Sequence, residues 1–499
     1  MVSRRFNTVR EMNMFGKRRF LGCITQILLF SMMMAQSQAA QLTATEKVLL
    51  ERIEALEKRI AELESRVPAD PNESVATPII PAPAEPPAEP VQEVNQPVGD
   101  SLTLVKRIEK LEAASAQIPA KSPYELSASW KEGLRVESDD GKFKLRLGGR
   151  TAVDSAWFSD DSELQRALGN NQDGIEFRRA YLYMSGLING WIEYKSEYEF
   201  TGDEVGFEDV YVGFTKIPYL GKVRFGHIDE PFGLELRTSN RHTTFMERAL
   251  THAIIPGTET GVLAKNLIMD DHVFFNVGIF RDTDHGAHSG DGGYNVTGRL
   301  VGLPIKNNDN TELLHLGIAG SHRNPDGPVR FRSKPESNLS NFRYVDTSDI
   351  LVDDEDLLSL EFAWINGPLS VQSEYVLDSV DTQQGGDANI SAWYAFVSYF
   401  LTGESRFYDL GSATFDRPKV KKNFREGGPG AWEVAARFSS IDLEDNIAHG
   451  GKQDDVTLGL NWYFNPNTKL MFNYVRALVD HDNYDGNLDI FQMRAQVDF

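Results

Sequence analysis

Three cations, Arg330, Arg332 and Lys334, occupy alternate positions around Phe331 and Ser333. In an extended chain successive side chains point to opposite faces, so the three share one side. Weakly hydrated guanidinium groups spaced in this way can pass an oxyanion along without trapping it. A second set of charges falls in residues 229–258: Glu230, Pro231, Phe232, Gly233 and Glu235, then Arg237, Arg241, Glu247 and Arg248. Pro231 fixes one φ angle and Gly233 permits a tight reversal, which suits a loop of fixed local shape. Selection of charge, with no covalent step, is the chemistry these residues predict. The sequence carries no GxxxxGKS/T, HExxH, GxSxG or EF-hand spacing, so the residues for those chemistries are not in place. His227, His242, His272 and His315 are scattered without a paired nucleophile, and the run Asp353-Asp354-Glu355-Asp356 is what a solvated loop would carry. No catalytic residue, metal site or cofactor is expected.

Charges of this kind need strands to aim them. In residues 143–153, Phe143, Leu145, Leu147, Thr151 and Val153 alternate with Lys144, Arg146, Gly148, Arg150 and Ala152. Residues 191–200 repeat the pattern, with Ile192, Tyr194, Tyr198 and Phe200 opposing Glu193, Lys195, Glu197 and Glu199. One face suits lipid and the other a water-filled lumen, which makes Lys144, Arg146, Arg150, Arg179, Glu193, Lys195 and Glu197 the expected pore lining. Strands are expected near 143–158, 177–188, 191–200, 207–215, 221–228, 259–267, 272–281, 294–303, 312–323, 357–366, 368–379, 389–401, 431–443, 456–464, 468–477 and 488–499, sixteen in all. Short connections at Asn189-Gly190, Asn366-Gly367 and Asn465-Pro466-Asn467 fall on one end, and the long ones, 159–176, 229–258 and 324–356, on the other. That is the asymmetry of an outer-membrane barrel, with short periplasmic turns and longer outer loops. Residues 402–430 break it, being long where a short turn is due. The last segment alternates Phe491, Met493, Ala495, Val497 and Phe499 with Gln492, Arg494, Gln496 and Asp498. Its terminal Phe resembles the signal by which such barrels are recognised for assembly.

Composition and the N-terminal region agree. The 499 residues include 51 basic and 73 acidic ones, and beyond residue 39 the balance is 45 against 72, which argues against nucleic acid as a partner. Lys17, Arg18 and Arg19 precede an apolar stretch from Phe20 to Met34 and small residues up to Ala40, a signal peptide over residues 1–40 cut after Ala39 or Ala40. The stretch is shorter than the roughly 20 residues that span a bilayer. Cys23 is the sole cysteine, so a mature chain has no disulfide and no thiolate metal site. Over residues 41–67, Leu49, Ile53, Leu56, Ile60, Leu63 and Val67 form a coiled-coil seam, with Arg52 and Arg59 able to pair with Glu57 and Glu64 of a parallel partner. Residues 68–129 form a Pro-rich spacer, with Pro81, Pro83, Pro86, Pro87 and Pro90, and a short helical fragment at Leu104, Ile108 and Leu111. Residues 130–499 are the barrel. The fold expected is all-β, a sixteen-stranded antiparallel transmembrane β-barrel preceded by a short N-terminal coiled-coil helix, in the outer membrane with the N-terminal region in the periplasm.

Several runs resemble the phosphate-selective porin O and P family: Gly141-Lys142-Phe143 with Gly148-Gly149-Arg150; Phe177-Arg178-Arg179-Ala180 with Tyr183 and Gly186; and Phe207-Glu208-Asp209-Val210-Tyr211-Val212-Gly213. Glu230-Pro231-Phe232-Gly233-Leu234-Glu235, Thr238-Ser239 and Thr244-Phe245-Met246-Glu247-Arg248 follow, and Gly430-Ala431-Trp432-Glu433 with Arg437 closes the resemblance. It covers most of residues 130–499 and omits the coiled coil. It implies an often trimeric channel in outer-membrane lipid, narrowed by its third loop, with a ladder of basic side chains along the pore that Arg330, Arg332 and Lys334 match best. The function expected is passive diffusion of small hydrophilic solutes with a modest preference for anions such as phosphate. A structural tether between membrane and cell wall, acting through the coiled coil, is the alternative. Selectivity should be decided at the constriction, because a unit pair at about 4 Å and an effective dielectric of about 20 is worth on the order of 4 kcal/mol. Arg237, Arg241 and Arg248 there should outweigh Glu193, Glu197, Glu199 and Asp209 in wider, screened stretches.

Overall fold

A computed structural model describes residues 125–499, apart from 203–204, 282, 284–292, 308, 310, 384 and 446. The expected signal peptide and coiled coil, and the spacer up to residue 124, lie outside the described residues. A hairpin of β1 (Leu126–Trp130) and β2 (Leu134–Ser138) comes first and straddles residue 130, where the expected spacer gives way to the expected barrel. It is followed by β3 (Lys144–Asp160), β4 (Gly174–Ile188), β5 (Ile192–Glu199), β6 (Gly206–Ile217), β7 (Gly221–Asp229), β8 (Thr258–Ile268), β9 (Val273–Arg281), β10 (Asn295–Lys306) and β11 (Glu312–Arg323). Two short strands, β12 (Arg332–Ser333) and β13 (Val345–Asp346), precede β14 (Val352–Asn366), β15 (Leu369–Thr382) and β16 (Asp387–Phe400). A second short pair, β17 (Phe407–Asp409) and β18 (Thr414–Asp416), precedes β19 (Ala431–Glu444), β20 (His449–Asn465), β21 (Thr468–His481) and β22 (Tyr484–Asp498).

Setting aside β1, β2 and the two short pairs, sixteen strands join antiparallel to their neighbours, and β22 returns to β3 with Phe491 opposite Trp157 and Asp498 opposite Arg150. Closure leaves no unpaired sheet edge within the bilayer, where an unsatisfied N–H or C=O would cost several kcal/mol. The alternation that predicted these strands is the alternation of burial: on β16, Trp393 and Val397 are half-exposed while Tyr394 and Ser398 are buried. Leu182, Val277, Leu300, Ile318, Leu360 and Leu458 project outward in the same way, as a lipid-facing wall requires. Aromatic groups ring the short-turn end, with Trp191 stacked on Phe214 at 5.5 Å and Trp432 on Trp462 at 4.8 Å. Phe499 closes the last seam by exchanging backbone hydrogen bonds of 2.8 and 2.9 Å with Gly149. A Cβ on the neighbouring Gly148 would lie 2.3 Å from the Phe499 carbonyl oxygen, so only glycine admits the chain end there.

Three connections fold into the barrel. Two come from the long-loop end, residues 230–257 (loop three) and 324–351; the third, 401–430, comes from the other end and accounts for the irregular turn length. Its β17–β18 hairpin enters the lumen, where Tyr408, Ala413 and Phe415 are buried with Leu234 of loop three against Phe274, Val301, Leu303, Leu313, Ala363 and Ile365 of the wall. Those wall residues face inward yet are apolar, because the hairpin and not water covers them; burying one such large side chain stabilises by roughly 1.5–3 kcal/mol. At the opposite end, Phe331, Val345 and Ile350 pack with Phe232, Leu250 and Ile254 on Val376, Val380, Ile390 and Ile441. Tyr344, Leu339 and Phe342 of the same loop meet Leu164, on a short helix Ser162–Leu168, and Val475, Leu488 and Ile490.

Candidate functional site

Loop three is held by buried carboxylates and their arginine partners. Glu230, fully buried, accepts hydrogen bonds from the Thr297 hydroxyl and from Arg323 at 2.7 Å. Gly233 adopts φ 71°, and a Cβ on it would approach the Glu374 carboxylate to 3.0 Å. Glu374 uses that proximity to accept the amides of Leu234 at 2.9 Å and Glu235 at 2.6 Å, the first N–H groups of the turn Leu234–Arg237. Glu235 in turn accepts from the Ala249 amide at 2.8 Å and from Arg437 at 3.1 Å. Arg437 is 2% exposed, and it also donates to Glu336 of loop 324–351 at 2.5 Å and to the Glu247 carbonyl at 3.0 Å. One guanidinium on β19 therefore ties two loops to one wall. Of the residues expected at the constriction, Glu230, Pro231, Phe232, Gly233 and Glu235 are buried and hold the loop, whereas Arg237, Arg241 and Arg248 turn toward cavities.

Two tyrosines on β4 carry arginines along the opposite wall. Arg150 lies over Tyr181 at 3.8 Å, and Arg179 donates to the Tyr181 hydroxyl at 3.0 Å. Arg146 and Arg241 lie over Tyr183 at 5.4 and 5.1 Å. An aromatic face positions a guanidinium without cancelling its charge. A bulge extends the series: Ala152 faces Arg179 and Val153 faces Phe177, so Arg178 is the extra residue and both arginines aim inward. Arg178 meets Glu247 at 2.8 and 2.9 Å, and Arg494, paired with Asp154 at 2.7 Å, reaches the same carboxylate at 2.7 Å. Burial opposes ionisation of Glu247, but Arg178 and Arg494 outweigh it and hold its carboxyl far below the usual range. Sequence reasoning named Arg179 and missed Arg178; two adjacent arginines in an alternating strand were the available signal.

Two cavities open off this series. Toward the long-loop end, about 380 Å³ is lined by Arg178, Arg248, Arg332, Lys334 and Arg343, with His252, Glu247 and Glu336. Arg248 is held by the carbonyls of Glu235, Leu236 and Thr238 at 3.3, 2.9 and 3.4 Å. Burial pulls the His252 imidazole down to about 3, with Arg248 adding to the effect, so it is neutral near pH 7. Burial also draws Lys334 below the usual lysine value, and Arg343 reinforces it. Arg330 turns away to Asp346, with two contacts of 2.7 Å. Arg343 went unnoticed in the sequence because it returns to this cavity from the far side of the same loop.

Toward the short-turn end, about 270 Å³ is lined by Arg146, Arg237, Arg241, Arg417 and His242, with Glu132, Asp409 and Asp416. His242 contacts Asp416 at 2.9 Å and so links loop three to β18. Most acids beside these passages are already paired: Glu197 and Asp209 each lie 2.7 Å from Lys195, and Glu193 lies 2.6 Å from Arg224. Lys144 pairs with Glu137 at 3.3 Å on the rim. Among the described residues, Arg179, Arg241, Arg248, Arg332 and Arg343 have no carboxylate within 4.0 Å.

A closed sixteen-stranded barrel with an apolar outer wall, a charged lumen and loops folded into that lumen defines an outer-membrane porin. Residues 146–499 match the family described as Phosphate-selective porin O and P, and the chain belongs to it. It is 29% identical over 411 residues to Porin O of Pseudomonas aeruginosa, covering 74% of this chain and 91% of that protein. An uncharacterised protein of Caulobacter vibrioides is 28% identical over 477 residues, covering 90% of each. Among solved structures, the anion-selective porin from Comamonas acidovorans aligns with a TM-score of 0.46 at 14% identity, over 72% of this chain and all of that one.

Proposed function

We propose that this porin passes small anions, phosphate among them, by passive diffusion from the long-loop cavity past loop three to the short-turn cavity, with the long loops facing the cell exterior. The observation that carries this reading is the set of guanidiniums without a carboxylate partner, Arg332 and Arg343, then Arg248 and Arg179, then Arg241, spread over both cavities and the wall between them. Low dielectric inside a narrow passage strengthens such charges against an excess of acids elsewhere. The family's own description names phosphate. Full-length protein in a planar bilayer under a KCl gradient should give open steps with a zero-current potential of anionic sign, and added phosphate should reduce the chloride current in a saturable way. A cationic sign would sink the reading, and the absence of open steps would favour the tether, for which the heptads of residues 49–67 are the sole support.

A trimer is the assembly that the family resemblance implies, with the N-terminal coil on the periplasmic side, where it could meet the cell wall. Native mass of the detergent-solubilised protein should correspond to three chains; a dimer that falls apart on removal of residues 41–120 would contradict it.

A further inference from the structure

We propose that Glu444, His449 and Asp482 form a binding site for one divalent transition-metal ion of the zinc class at the long-loop rim. The residues come from the end of β19, the start of β20 and the turn between β21 and β22. Among the described residues they are the one group of three His, Cys, Asp or Glu side chains whose ligand atoms lie within 4.8 Å of one another. Nothing in their sequence spacing announces this, because the strand register makes the site: Glu444 faces His449 directly, just after a shift at Asp442/Glu444.

The distances suit ligation better than direct pairing. His449 Nδ1 and Glu444 Oε2 are 3.5 Å apart, longer than a hydrogen bond of about 2.7–3.2 Å. That separation is close to the roughly 3.4 Å edge between two ligands each about 2.1 Å from a tetrahedral zinc ion. The other Glu444 oxygen accepts the Gly451 amide at 2.6 Å, which fixes the direction of the carboxylate. The surroundings also call for positive charge. Asp442, Lys452, Asp480 and Asp485 form one cross-strand row, and Asp442 takes the lysine at 2.7 Å. Asp480 then faces Asp485 directly, a like-charge pair that costs stability.

A second histidine with two carboxylates, at the outer end of β11 and β14, lacks this convergence. His322 meets Asp356 through Nδ1 at 2.8 Å and Asp354 through Nε2 at 4.0 Å, so opposite ring nitrogens are used and one ion cannot reach both. One imidazole and two carboxylates favour zinc-class ions over calcium, which collects 6–8 oxygen ligands. A bound ion would clip the β19–β20 turn to the β21–β22 turn and keep open positions for water.

Calorimetric titration of zinc chloride into the full-length detergent-solubilised protein tests this. One equivalent should bind per chain, His449→Ala and Asp482→Asn should each weaken binding at least about tenfold, and His322→Ala should leave it unchanged. These side chains are on the exposed rim, and an unchanged unfolding midpoint without metal confirms that each variant is folded. No saturable binding at one equivalent, equal binding in His449→Ala and Asp482→Asn, or displacement by an equal concentration of calcium would each overturn the assignment.

Discussion

Strands β3 to β9 and strands β14 to β22, the β17–β18 hairpin aside, share one alternating pattern, yet their inward faces do different jobs. On the first wall, Lys195, Asp209 and Arg224 keep side-chain exposures of 18, 22 and 13% and pair with neighbours along the wall, and Arg146, 31% exposed, pairs with Glu132 of the β1–β2 turn. On the second, Glu374, Arg437, Asn461 and Arg494 are at most 2% exposed and bond to loops three and 324–351. A polar group that faces water needs no particular partner, whereas a buried one must be satisfied. These buried residues of the second wall are therefore anchors, and the more exposed ones named on the first wall are the lining of the passage. Inward charge alone does not mark a residue that meets solute.

The largest effect separating the walls should come from Arg437→Ala. Removing it leaves Glu235 and Glu336 buried without their shared partner, a change that typically costs about 3–5 kcal/mol. Conductance should rise and become noisy as both loops loosen, and thermal unfolding of the detergent-solubilised protein should begin earlier. Arg224→Ala on the first wall should do much less to stability, since Glu193 keeps Lys222 at 3.4 Å. If the two variants lose stability equally, the division between anchor and lining is wrong.

A smaller, purely electrical effect is expected from replacing Arg332, Lys334 and Arg343 together with Ala. The zero-current potential should shift toward cations while open-channel conductance stays near the original, because none of the three ties a loop to the second wall. Arg330→Ala alone should move neither quantity, since that side chain is engaged with Asp346. A shift from Arg330→Ala as large as that of the triple variant would place the anion path on the other edge of the loop.

Alternation made the barrel legible because each strand faces two media, and each of the sixteen wall strands overlaps one expected segment. It could not reveal β17 and β18, each three residues long, whose burial depends on a turn that doubles back into the lumen. The apolar inward faces of Val301, Leu303, Leu313 and Ile365 were the trace that hairpin left in the wall. Glu230 and Glu235 look like loop charges in the sequence because their partners Arg323 and Arg437 are distant in the chain. Arg178 escaped notice for a local reason, a bulge that breaks the two-residue period where a second arginine is turned inward.

The division between the two walls is tested most directly by single cysteines, since Cys23 is the chain's only one and can be replaced by Ser. Lys195→Cys on the first wall and Thr457→Cys on the second would be treated with a small cationic thiol reagent during single-channel recording. Modification at residue 195 should be fast and change the current, whereas Thr457, 1% exposed and bonded to Glu336, should leave a cysteine that does not react. Equal reaction rates at the two positions would show that water runs along both walls and contradict the account.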